Sequence, residues 1–191
     1  KTLLEQTLTD RRWDMTYLGM QVLIEGLALA AFQSIRDKAG NTLAGAVNAY
    51  VMQDEARHVS FGRLALRDYY PQLSDAERDE REEFVVEALY FMRDRFNQSE
   101  VWERLGLPAK TLDDIHYNSK QMNSFRGRLF SRVVPTVKDI GLWGPRMRKA
   151  FGEMGVMEYA DINVVDQLAN DGKVAEEFDK KMFVEKAIAA E

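Results

Sequence analysis

Asp54-Glu55-Ala56-Arg57-His58 is the stretch on which the reading of this chain turns. It lies inside a helical pattern in which Val47, Val51, Val59 and Leu66 fall on or near one face. Residues three apart on a helix point the same way, so Glu55 and His58 can reach one metal ion together. A Glu-x-x-His pair projecting inward from a helix is half of what a bundle needs to hold two irons or manganeses. Upstream, Glu25 occupies the middle of a second helical pattern, residues 15–35, with Leu18, Val22, Leu29 and Phe32 along its stripe. The two helices meet near Gly40-Asn41, where Gly40 stops the first and Asn41 or Thr42 caps the second. Glu25 lies about 15 residues before that turn and the Glu55/His58 pair about 14 to 18 after it, so at ~1.5 Å per residue each arm is about 21–27 Å long. An antiparallel hairpin therefore brings Glu25, Glu55 and His58 to one level. The plainer alternative has Glu25 reaching water at the edge of a core and His58 hydrogen-bonded within it. A carboxylate buried without a partner is expensive, which favours a metal.

Three neighbours are candidates to support such ligands. Gln21 lies one turn before Glu25. Asp54 points to an adjacent face, where a carboxylate can fix the tautomer of a histidine on another helix. Arg57 can neutralise Asp54 or another acid. An exposed glutamine and a solvated charge pair are the competing readings. Gly19, Gly26, Ala28, Ala30 and Ala31 make the Glu25 helix slim, suited to close helix packing or to room for oxygen or substrate beside Glu25.

The rest of the 191 residues reads as helices separated by Gly and Pro, giving an all-α chain. Residues 1–11 form a short helix or connector. The Ser74-Asp75-Ala76-Glu77 capping box opens a third helix to about Asn97. A short piece, residues 100–105, ends at Gly106. Residues 111–134 form another helix, stopped by Pro135, in which Arg126, Arg128 and Arg132 make a basic face that suits solvent, an acidic partner or a phosphate. Helices at 145–153, 158–168 and 173–190 follow. Asp113 and His116 repeat the carboxylate-x-x-His spacing and offer a rival second pair of ligands, although an acid in a first helical turn also serves the helix dipole. The expected organisation is a metal-binding hairpin at 13–70 followed by accessory helices at 71–191, as one domain or the C-terminal part of a longer one.

Bulk properties narrow the function. Hydrophobic residues make up 46%, including three Trp, seven Tyr and ten Phe, enough for a core. A net charge of −5 argues against nucleic acid as the main partner. No run approaches the ~18 apolar residues of a membrane span. The absence of cysteine removes disulfides and thiolate ligands and fits a reducing cytoplasm.

With Glu25 followed by Asp54-Glu55-Ala56-Arg57-His58, the sequence resembles the ferritin-like di-iron carboxylate proteins, most closely the ribonucleotide reductase small subunit and related oxidases and oxygenases. The resemblance covers residues 13–70. It implies a four-helix bundle whose third and fourth helices are those of Glu25 and Glu55. It implies Glu25, Glu55 and His58 as ligands of two iron ions, Fe/Fe or Mn/Fe, with Asp54 supporting them. Dioxygen, a hydrophobic small-molecule substrate and an electron donor would be the partners, with Leu29, Phe32 and Val59 as apolar surroundings. The chain departs from the pattern in two places. No Glu followed by Glu-x-x-His precedes Glu25, so the remaining ligands would come from a longer chain or from a homodimer. Val51 stands where an N-oxygenase-type histidine would lie, one turn before Glu55. The rival expectations are a ferritin-like iron-storage protein and a helical module with an incomplete site.

Overall fold

The computed structural model describes residues 5, 7, 9–94 and 99–180, and among these every regular element is helical. The first long helix, α1, runs Trp13–Lys38 and is wound as a π-helix over Leu18–Ile24, just before Glu25. It is long and apolar enough to cross a membrane by length and composition, because Leu, Ile, Val, Met and Ala outweigh its few polar residues. Here it packs against neighbouring helices on several sides. Residues 39–41 connect it to α2, Thr42–Tyr69. Asn41 caps α2 by accepting from the Ala44 N–H at 2.8 Å. The close contact of α1 with α2 along their lengths makes a helical hairpin, the most extensive helix–helix packing among the described residues.

After a 3-10 turn at Tyr70–Gln72 comes α3, Asp75–Asp94. The capping box closes as expected: Glu77 Oε2 accepts from the Ser74 N–H at 2.8 Å, and the Glu77 N–H donates to Ser74 Oγ. These hydrogen bonds favour the ionised form of Glu77 and hold its pKa below the ordinary value. Then follow α4 (Ser99–Arg104), α5 (Ala109–Tyr117), α6 (Lys120–Leu129), α7 (Val133–Asp139), α8 (Pro145–Glu153) and α9 (Val164–Asp171). The expected end of α3 at Asn97 and most of the expected 173–190 helix lie outside the described residues.

Two segments differ from the sequence expectation. The single helix at 111–134 is three helices, broken at Asn118-Ser119 and at residues 130–132. Ser119 accepts from the Met122 N–H and starts α6, so an N-cap interrupts a pattern that periodicity alone joins. Pro135 does not stop a helix. It sits in the first turn of α7, where its missing N–H would have had no intrahelical partner. The 158–168 segment likewise divides into a 3-10 turn, Met157–Asp161, and α9, which Asn163 caps.

Two cores lie along the hairpin, one toward its open end and one nearer its middle. The larger gathers Leu18, Val22 and Leu23 of the π-wound turn with Leu66, Val85, Leu89, Val133 and Phe151. The smaller joins Leu29, Met52, Ala56 and Val59 to Val164 and Leu168 of α9. Leu29 and Val59 are fully buried and Phe32 packs against them, so these three are packing residues, each fully buried aliphatic contributing roughly 1.5–3 kcal/mol. Close approach explains one of the small residues of α1: a Cβ on Gly26 would press on Val133 Cγ2 at 3.3 Å. Val47, placed by spacing on the inner face, is exposed.

Buried charge also ties the elements together. Asp14 of α1 accepts from Arg81 Nε of α3 at 3.0 Å, both nearly inaccessible. Arg132 holds Asp171 with two nitrogens at 3.0 and 2.9 Å. Glu82 is buried and accepts from the N–H of Gly144, the residue that precedes α8. Negative charge at a helix N-terminus meets the positive end of the helix dipole.

Candidate metal centre

The hairpin brings Glu25, Glu55 and His58 together, as the count along the two arms requires. One donor atom from each lies within 4.8 Å of the other two, and among the described residues this is the one group of three acids or histidines so arranged. His58 Nδ1 is 3.4 Å from Glu55 Oε2 and 3.7 Å from Glu25 Oε1. The first is a long hydrogen bond and the second is beyond one. The donors therefore converge without satisfying each other. Glu25 Oε2 is buried and has no hydrogen-bond partner, and one turn earlier Gln21 Oε1 is in the same condition. Two orphaned acceptors on one helix face are a recess that a cation fits.

Local sequence explains the geometry. Gly62 lies one turn beyond His58, and a Cβ there would run into Cβ of Gln21. Its absence lets α1 and α2 touch at the level of the cluster. This close contact gave no separate signal in the hydrophobic spacing. The π-wound turns end at Ile24 and set the rotation at which Glu25 leaves the helix. Wide turns of this kind are frequent at functional sites.

The electrostatics follow from partial burial. The side chain of Glu25 is 18% exposed and that of Glu55 22%, whereas that of His58 is 57% exposed. Burial raises the pKa of Glu25 above its ordinary value, the charge of Glu55 raises it further, and His58 acts in the opposite direction. A carboxyl raised in the folded state favours folding at pH below its ordinary pKa, and that contribution is lost as pH rises through the shifted value. Glu25→Gln is therefore expected to raise the melting temperature of the metal-free protein at pH 7 and to change it little at pH 3.5. Melting curves of metal-free wild type and variant at both pH values check this. A variant less stable at pH 7 would show that the Glu25 charge already has a partner.

The three proposed supporting residues are placed differently from one another. Gln21 packs on Gly62 beside the cluster. Asp54 and Arg57 pair with one another at 2.6 Å, both well exposed on the outer side of α2. That outer side is also apolar: Leu43, Val47, Tyr50, Phe61 and Leu64 are all exposed on it. His58 lies at the edge of this face, which is why it is open while Glu25 is not. The Asp113-x-x-His116 pair takes another course. Trp102 Nε1 donates to Asp113 Oδ1 at 3.1 Å and Ser99 donates to Oδ2, so Asp113 ties α5 to α4.

Oxygen and imidazole donors of this kind suit iron or manganese. Residues 31–141, more than half of the chain, match the protein family described as P-aminobenzoate N-oxygenase AurF. The matched segment contains Glu55 and His58 and begins six residues after Glu25. Comparison with curated proteins and with solved structures gave no match.

Proposed function

The chain belongs to the P-aminobenzoate N-oxygenase AurF family, a ferritin-like di-iron family, and on that premise we propose that it is the ligand-bearing half of a dinuclear non-haem iron or manganese–iron oxygenase. The observation that carries this reading is the convergence of Glu25, Glu55 and His58 on one recess, with Glu25 Oε2 buried and unpartnered there. These three residues would hold the metal. When bound, the metal supplies activation of dioxygen and the oxidation of a substrate.

The chain's own residues do the remaining work. Glu25 offers a carboxylate from inside the hairpin, and Glu55 and His58 offer one oxygen and one nitrogen from its edge. Gly62 and Gln21 keep the two helices in contact at that level. Leu29, Val59 and Met52 close the inner side of the hairpin to water. In this reading α1 and α2 are the third and fourth helices of a four-helix bundle. The exposed stripe of Leu43, Val47, Tyr50, Phe61 and Leu64 supports it, since such a face on a long helix calls for a partner. A further pair of helices laid on that stripe would add the missing ligands and enclose a dry chamber. The substrate proposed is accordingly small and hydrophobic, and an electron donor is required. Val51 brings no donor atom to the position of an N-oxygenase-type histidine, so within the hairpin only His58 offers an imidazole ligand.

Metal analysis with oxygen uptake by ferrous-loaded protein tests the proposal. Two metals per complete site with oxygen turnover is the expected result. Many irons per chain would favour the storage reading, and none would leave a helical module.

A further inference from the structure

His116 lies on a second site, remote from the metal cluster. Lys38, which shares that site, is 13 residues beyond Glu25 on α1, or about 20 Å along the helix axis. A cleft of about 580 Å³ opens where the end of α1 meets the α5–α6 junction, and Lys38, Lys120, Arg128, His116, Ser119 and Ser124 line it. Among the described residues no carboxylate lines it. Among the described residues, Lys38, Lys120 and Arg128 have no ion-pair partner. Elsewhere Arg12, Arg57, Arg63, Arg81, Arg132 and Arg146 each hold a carboxylate. Three cations lining one cleft repel each other, and an anion among them relieves that.

Among the polar groups between the cations, one ring nitrogen is unsatisfied. His116 Nε2 is buried with no hydrogen-bond partner. Ser119 caps the ten-residue α6 and donates to the carbonyl of His116 at 2.8 Å, which fixes the ring's backbone against the helix start. The cleft therefore also faces the positive end of the α6 dipole. Arg128 Nη1 donates to Ser124 Oγ at 3.1 Å, which steadies the guanidinium and leaves the hydroxyl proton free for a ligand. Arg126 and Arg132, from the same basic stretch, are used otherwise. Arg126 lies over the Tyr117 ring and Arg132 holds Asp171.

We propose that this cleft binds a dianion of the phosphate class, carried on a ligand whose apolar part rests against Met122 and Phe125. Three cations and a helix N-terminus overcompensate a single carboxylate but match a phosphate, whose oxygens can accept from several directions at once. The site is independent of the metal reading.

Calorimetric titration of inorganic phosphate into the full chain, at low salt, tests this. Saturable binding is expected, weakened roughly tenfold or more by Lys120→Gln together with Arg128→Gln, since each loses a charge-assisted hydrogen bond. Sulfate should compete and acetate should not. Lys149→Gln, which lies on α8, should leave binding unchanged. Lys120 and Arg128 are exposed, so circular dichroism of the double variant should match wild type. The absence of saturable heat overturns the proposal, as does equal binding by the double variant or by acetate. Phosphate binding lost in His58→Ala but kept in the double variant would place the anion at the metal, and would overturn it as well.

Discussion

Alanine in place of Glu55 or His58 is expected to remove iron from the protein while leaving its helicity nearly unchanged. Each residue is one of only three donors that the hairpin brings to the recess, and the other two do not compensate for each other. Loss of a group that merely supports a ligand costs about 10–100-fold in metal affinity, so loss of a ligand exceeds that range. Neither side chain belongs to either core, and alanine is a strong helix former, so α2 should survive the change. The measurement is iron per chain after loading and desalting, with circular dichroism on the same samples. Asp54→Ala is the control, because Asp54 is exposed and holds Arg57 rather than the cluster. Iron retained in both Glu55→Ala and His58→Ala would remove the metal assignment. Iron lost equally from Asp54→Ala would mean that the ion sits on the outer face instead.

Arg81→Ala should produce the largest loss of stability. Arg81 binds Asp14 through Nε and Glu80 through Nη1, and the Asp14 and Arg81 side chains are only 2% and 3% exposed. Removing one partner leaves a buried charge without compensation, a loss of about 3–5 kcal/mol. The hydroxyl of Tyr70 is buried close by without a hydrogen-bond partner, and burial together with Asp14 holds its pKa above the ordinary value. Urea unfolding of wild type, Arg81→Ala and the double variant Asp14→Leu/Arg81→Met separates the terms. The double variant should recover most of the loss, because replacing a buried pair by apolar groups of similar size is often neutral. A single variant as stable as wild type would mean that the pair is solvated.

The hairpin was legible because two independent regularities agreed. Apolar spacing defined helices on either side of Gly40-Asn41, and equal arm lengths then placed Glu25 level with Glu55 and His58. Caps were legible for the same local reason, as Asn41 and the Ser74/Glu77 box show. Exposure was harder to read. The apolar pattern grouped Val47 with Val59, yet the two are 12 residues apart, about 120° around a helix, so Val47 joins Leu43 and Tyr50 on the outer, exposed stripe while Val59 is fully buried against α9. Spacing puts Glu82 on the inner face with Val85 and Leu89, but not its partner, the N–H of Gly144, 62 residues away. The 111–134 segment failed for the converse reason. Its periodicity continues through Ser119, while the cap that Ser119 makes turns the chain.

Glu25, Glu55 and His58 all sit on one hairpin closed by residues 39–41. Contacts so near in sequence form early, because little chain entropy is lost in closing so short a connection. An ion can thus be captured by this segment as soon as its two helices associate, before more distant parts of the molecule are in position. A metal bound there would act as a nucleus for folding rather than a late addition. Assembly in the presence of iron should be faster than assembly without it, and groups arriving later meet an ion already held from one side.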